Sequence, residues 1–152
     1  MVEFGYFKDV NLSFNSVVKK LPIELKRKGF EVLSTVRMDN EFHNHLGVDF
    51  KKYVIMSISN LQLAYKALIK EDGNGLLQTY NVIIYQKNDI TVVGVLRPTL
   101  LISAFNSEYL NEGASIIERK LLEILDGLEK KRFLKEKVSG KKEKQGAIKA
   151  VA

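Results

Sequence analysis

Two hydrophobic periods alternate along this chain, and the points where one gives way to the other mark its elements. Tyr53-Val-Ile-Met-Ser-Ile-Ser59 is a β-rich run with no Gly or Pro, which predicts a buried strand. Leu61, Ala64, Tyr65 and Leu68 then fall at helical spacing, so residues 61–70 form an amphipathic helix. Asn60 stands directly before them. Its short side chain can accept from backbone N–H groups two or three residues on, which suits it to be an N-cap. Gly73 and Gly75 are expected to stop this helix, after which Leu76 to Gln86, rich in Tyr, Val and Ile, predicts a long second strand.

The same reading extends to both sides. Glu3 to Val10 predicts a first strand with Phe4, Tyr6 and Val10 on one side. Ser13 can cap the next helix, whose apolar face is Val17, Val18, Leu21 and Leu25, with a kink expected at Pro22 and a stop at Gly29. Phe30 to Val36 reads as a strand with Phe30, Val32 and Val36 on one side, followed by a short polar helix from Asp39, its expected cap, to Leu46. Asn88 and Asp89 suit a hairpin turn, and Ile90 to Arg97 is the return strand, ended by Pro98. Thr99 to Phe105 is apolar and fits either a short helix or a further strand. Asn106 or Ser107 then caps the longest helix, in which Leu110, Ala114, Ile117, Leu121, Leu125 and Leu128 recur every three or four residues; the helix is expected to run past Lys131. The class this predicts is α+β: an antiparallel sheet with helices packed on one side.

Charge divides the chain. Of 152 residues, 45% are hydrophobic, enough for one ordinary core. Residues 1–128 hold 15 Lys and Arg against 15 Asp and Glu, whereas residues 129–152 hold 9 against 3 and so carry the entire net +6. The expected organisation is a single α+β domain over 1–128 and a basic helical extension with a disordered tail over 129–152. Such a Lys-rich tail would touch nucleic acid weakly and without reading sequence. No apolar run approaches the roughly 18 residues a membrane span needs, and the first residues lack the basic-then-apolar order of a signal peptide. A cytoplasmic protein with no membrane contact is the expectation.

Candidate chemistry is sparse. The chain has no cysteine, which excludes disulfides, thiolate metal sites and thiol nucleophiles. Gly73-Asn-Gly75 is a turn and is not followed by the Lys-Ser or Lys-Thr of a phosphate loop, and no serine lies in a nucleophile-elbow pattern. His43 and His45, with Asp39, Glu41 or Asp49, are the weak metal candidates, but residues two apart on a helix do not face one another, so both read as solvated. The central strands say more. Tyr53, Ile55, Ser57 and Ser59 share one face; on the next strand Leu77, Thr79, Asn81, Ile83 and Tyr85 share one face and Gln78, Tyr80, Val82 and Ile84 the other. Both faces mix apolar and polar residues, whereas a one-sided sheet should have one clearly polar face. Partial burial with satisfied hydroxyls, a subunit interface and a small-molecule pocket all fit that pattern.

Leu46-Gly-Val-Asp-Phe-Lys-Lys-Tyr53, Asn60 followed by Ala64-Tyr65-Lys-Ala-Leu68, and Gly75-Leu-Leu77 with Asn81-Val-Ile-Ile-Tyr85 together resemble the domain of unknown function 302 family, over about residues 4–128. The resemblance implies a strand–helix–four strands–helix order similar to TATA-binding-protein-like folds, and a tendency to dimerise. It brings no established activity or cofactor. It also implies cysteine where this chain has Ser59, and a Pro-Cys pair where it has Thr79-Tyr80, so a thiol role suggested for relatives cannot operate here. Alignment to the motif singles out Ser59, Asn60, Tyr80 and Asn81; with Arg97 at the end of the return strand they are the ligand-pocket candidates, although the helix-cap role is the stronger one for Asn60. The function expected is a non-catalytic binding or assembly module, homodimeric, with a small-molecule ligand as a further expectation. An enzyme or redox accessory protein acting on a small molecule is the alternative from another class, disfavoured by the missing nucleophile, metal cluster and thiol. Weak nucleic-acid binding through the tail is the second alternative.

Overall fold

Alternation on the two central strands decides which face of the sheet is covered. In the computed structural model, which describes the backbone of residues 4–138 and 148–151 and the side chains of residues 4–128, strand β3 (Tyr53–Ser59) buries Val54, Met56 and Ile58, and strand β4 (Tyr80–Lys87) buries Tyr80, Val82 and Ile84. The elements around them are β1 (Gly5–Val10), α1 (Phe14–Arg27), β2 (Glu31–Arg37), α2 (Met38–Leu46), α3 (Leu61–Lys70), β5 (Ile90–Leu96), α4 (Pro98–Ile102), α5 (Glu108–Val138) and β6 (Ile148–Val151). One sheet joins all six strands in the order β2-β3-β4-β5-β1-β6, each neighbour antiparallel.

The core lies between that sheet and two helices. Val17, Leu21 and Leu25 from α1 and Ile117, Leu121, Ile124, Leu125 and Leu128 from α5 pack with the buried residues of β3 and β4 and with Val93 and Val95 of β5. Both helices bury one stripe because their apolar residues recur every three or four positions. Helix α1 runs unbroken through Pro22, and the Ser13 hydroxyl caps it, accepting from the Ser16 amide at 3.2 Å. A smaller cluster of Leu77, Ile102, Ala114 and Leu110 forms where α4 meets the start of α5.

The pairing register writes out the other face. Val36, Ile55, Ile83, Gly94 and Phe7 are successive partners across five strands, and Tyr53, Tyr85, Val92 and Asp9 form the row beside them. Gly94 is required in the first row. A Cβ there would lie 2.7 Å from Cε1 of Phe7 and 3.0 Å from Cγ1 of Ile83, so the Phe7 ring occupies the space over the glycine.

Four sequence expectations change. Phe30, Val32 and Val36 do not share a side: the β2–β3 register shifts between Val32 and Ser34, and this bulge turns Val36 to the open face. Asp39 does not cap α2; Arg37 occupies the cap position without a side-chain bond, and Asp39 instead takes its guanidinium. The strand after α3 begins at Tyr80 rather than Leu76, because Asp72–Leu77 winds into 3-10 turns, fixed by the Asn74 side chain donating to the Ala67 carbonyl at 2.9 Å. Leu77 and Thr79 are therefore not strand residues. Fourthly, residues 148–151 pair with β1 as an edge strand where a disordered tail was expected, while 139–147 lie outside the described residues. The ambiguous 99–105 segment is helical, and the Ser107 hydroxyl accepts from the Leu110 amide at 3.3 Å at the start of α5. The basic stretch expected to meet nucleic acid starts at residue 129, beyond the described side chains.

Candidate functional site

Ser59 and Asn60 end β3 and start α3, and each is committed to that corner. Asn60 has extended backbone, and its Oδ1 accepts from the Leu63 amide at 3.1 Å. The Ser59 hydroxyl donates to the Gln78 carbonyl at 2.7 Å, tying the end of β3 to the approach of β4. Gln78 is held in turn, its side-chain nitrogen donating to the Asn74 carbonyl at 3.2 Å.

Two residues on, Tyr80 is 2% exposed and points to the helix side of the sheet. Its hydroxyl makes no hydrogen bond among the described residues, and burial pushes its pKa up to about 12. A buried hydroxyl left unbonded costs about 1–3 kcal/mol. Beside it is a cavity of about 210 Å³ between α3, α4 and the first turns of α5.

The other two candidates do not join this place. Asn81 is exposed on the opposite face, opposite Ser57 of β3. Arg97 follows β5 and reaches α5, where its Nε donates to Oε1 of Glu118 at 3.2 Å.

Glu118 is the residue that sequence reasoning missed. It is 8% exposed, and its carboxylate also accepts from the Tyr6 hydroxyl at 3.2 Å, the Thr99 amide at 3.0 Å and the Thr99 hydroxyl. The Arg97 guanidinium lies over the Tyr6 ring, 5.2 Å from its centroid. Helix α4 begins at Pro98 with no side-chain cap of its own from Arg97, so Glu118 supplies the cap from another helix. The signal was present: Glu118 lies four residues after Ala114 and three before Leu121, inside the apolar stripe of α5. The carboxylate binds four donors and ties β1, α4 and α5 together.

The two histidines separate. His43 Nδ1 lies 3.4 Å from Oδ1 of Asp49, and His45 Nε2 lies 3.1 Å from Oε2 of Glu41, each on exposed side chains. Phe42, like them on α2, packs edge-on to Phe50, and the aromatic series continues through Phe50 and Tyr53 to Tyr85, which stacks on Tyr53 at 5.5 Å. Lys51 Nζ lies 4.8 Å from the centroid of the Tyr85 ring. Burial raises the pKa of both tyrosines. This aromatic ridge borders the open sheet face. Asp39, in the first turn of α2, has its carboxyl held below its ordinary value by the Arg37 guanidinium at 2.6 Å.

An antiparallel sheet with its long helices on one face, no metal-ligand cluster among the described residues and no helix there long and apolar enough to cross a membrane defines a small α+β domain. The model of the domain of unknown function DUF302 matches residues 6–128, and the chain belongs to that family. Among solved structures it is similar to an uncharacterised conserved DUF302 protein from Bacillus stearothermophilus, at 31% identity and a TM-score of 0.75, over 82% of this chain and 98% of that one. None of the curated proteins matches it.

Proposed function

We infer that this domain is a non-catalytic assembly module that forms a homodimer through the open face of its sheet. The observation that carries this is the row Val36–Ile55–Ile83–Phe7, apolar across the sheet and facing away from α1 and α5. Val36 is 37% exposed, and Phe4 and Phe50 beside the sheet are 48% and 49% exposed. Antiparallel sheets with one free face carry polar residues there; this one carries Ser57, Asn81 and Asp9 around a central row of aliphatic and aromatic side chains.

Five strands about 4.8 Å apart, each of roughly seven residues at about 3.4 Å, span a projected area of roughly 550 Å². A stable interface buries about 800 Å² per partner, so the exposed Phe4 and Phe50 beside the sheet must add to what the strands present. A second copy fits such a surface because a twofold axis sets the same apolar row against itself. Nothing in the Glu118 cluster competes with this reading, since its carboxylate is taken up by donors of the domain itself.

Sedimentation at micromolar concentration tests it: the expected mass is about twice the 17.3 kDa of the chain. Ile83→Glu removes about 1.5–3 kcal/mol of burial from each copy and weakens the dimer at least ~100-fold, with the circular dichroism of the fold retained. A wild-type monomer at that concentration refutes the proposal.

A further inference from the structure

The cavity beside Tyr80 lies on the covered side of the sheet, away from the face assigned to dimerisation. It exists because two clusters pack separately. Tyr80, Leu63 and Ile117 belong to the main core, whereas Ile102, Leu110 and Ala114 belong to the smaller cluster at α4, and the gap between them is the cavity. At about 210 Å³ it exceeds the ~150 Å³ of an apolar cavity that holds benzene.

Lys66 and Glu112, both exposed, also line the cavity, and its buried polar side chains are Tyr80 and Gln78. The Tyr80 hydroxyl, in a side chain 2% exposed, has no partner among the described residues. Gln78, 9% exposed, uses its side-chain nitrogen on the Asn74 carbonyl, and its side-chain oxygen accepts no hydrogen bond among the described residues. One donor and one acceptor thus stand unused in the wall of the same cavity. A second tyrosine, Tyr109, lines it, with Lys70 Nζ held 4.1 Å from its ring centroid. Two tyrosine rings in a mostly apolar wall favour a flat aromatic occupant, which packs against them offset or edge-on.

We propose that this cavity is a binding site for a small phenol, whose ring fills the space between the two clusters and whose hydroxyl accepts from Tyr80 and donates to Gln78. An apolar pocket with a few convergent polar groups is the form such sites take. A ligand hydroxyl is the simplest group that answers a free donor and a free acceptor together. The site is independent of the dimer, because its walls come from α3, the approach of β4, α4 and α5 rather than from the open face.

Calorimetric titration of the full chain with p-cresol, and with toluene as its partner lacking the hydroxyl, tests this. Saturable p-cresol binding is expected, with toluene about 5- to 150-fold weaker, the range of two neutral hydrogen bonds. Tyr80→Phe should bring p-cresol towards the affinity of toluene and leave toluene unchanged. Gly113→Leu should abolish binding of both. Gly113 lines the cavity, a Cβ there meets nothing within 4 Å, and replacing a helical glycine favours the helix, so this variant keeps its fold. No heat from either probe, p-cresol binding unaltered by Tyr80→Phe, or unaltered binding by Gly113→Leu would each overturn the proposal, the first by leaving water as the occupant. Sedimentation of the same variants separates this outcome from that for the dimer, since neither residue lies on the open face.

Discussion

Replacing Glu118 by alanine should be among the most damaging single changes in this domain. The carboxylate is 8% exposed and accepts from Tyr6, Arg97 and both donors of Thr99, so the change removes the charged acceptor shared by three elements. Hydrogen bonds to a charged group are worth about 1.5–3 kcal/mol each, but four on one carboxylate do not add. Breaking a buried ion pair from one side costs about 3–5 kcal/mol, which is the better guide. For a domain of this size each kcal/mol moves the melting temperature by about 2–4 °C, so a fall of about 6–20 °C is expected. Urea unfolding at one fixed protein concentration gives the free energy directly, the concentration being held because dimerisation would otherwise contribute. A double-mutant cycle with Arg97→Ala should return a coupling of about 0.5–3 kcal/mol. A loss below about 1 kcal/mol for Glu118→Ala, the worth of one ordinary neutral bond, would refute the idea that this carboxylate ties β1, α4 and α5 together.

Three further outcomes are expected. Gly94→Ala should destabilise by about 1–3 kcal/mol in urea unfolding, since its Cβ would strike Phe7, and adding Phe7→Ala should recover part of that loss. Asp39 has a lowered pKa in the fold, so its stabilising contribution is present above the unfolded value of about 3.9 and is lost as pH falls through the lower folded value; Asp39→Asn should flatten the stability profile in that acid window. Tyr80 has its pKa raised to about 12, so its contribution is present below the unfolded value of about 10 and is lost as pH rises towards 12. Tyr80→Phe should therefore lessen alkaline destabilisation over pH 10–12, and near neutral pH it should stabilise the unliganded protein by up to about 1–3 kcal/mol in the same urea assay, because an unbonded hydroxyl is removed.

Elements with one strong local cause could be read in the sequence. Asn60 caps α3 because its side chain can do so wherever it precedes a helix, and Asn88 and Asp89 turn the chain between β4 and β5, with Asn88 at a φ of 54°. The long apolar stripe of α5 needed only its own period. What escaped depended on partners distant in the chain. Glu118 lies in that stripe as an acid without visible purpose until Tyr6, Arg97 and Thr99 are brought to it. The bulge that turns Val36 outward is a property of how β2 meets β3, not of either strand alone. The 3-10 turns after α3 replaced a predicted strand because side-chain bonds from Asn74 and Gln78 to backbone carbonyls outweighed the β preference of two leucines. Tyr80 was singled out by alignment, but its lack of a partner and the cavity beside it exist only in three dimensions.

The place of β1 in the sheet has a consequence for how the chain folds. β4 and β5 are joined by a two-residue turn and β3 reaches β4 through α3 and the 3-10 turns after it, so those pairings close short loops. β1 is different: the first strand of the domain pairs with β5, with Tyr6 opposite Val95, and most of the chain lies in the loop between them. Pairings that close long loops must meet their entropy cost before they return any stability, and they set the pace of folding in sheets of this kind. The β1–β5 seam then forms after β3–β4 and β4–β5, with only β1–β6 closing a longer loop. Until it closes, β5 presents an unpaired edge, which makes the interval before β1 arrives the period in which a nascent chain is most open to pairing with the wrong strand.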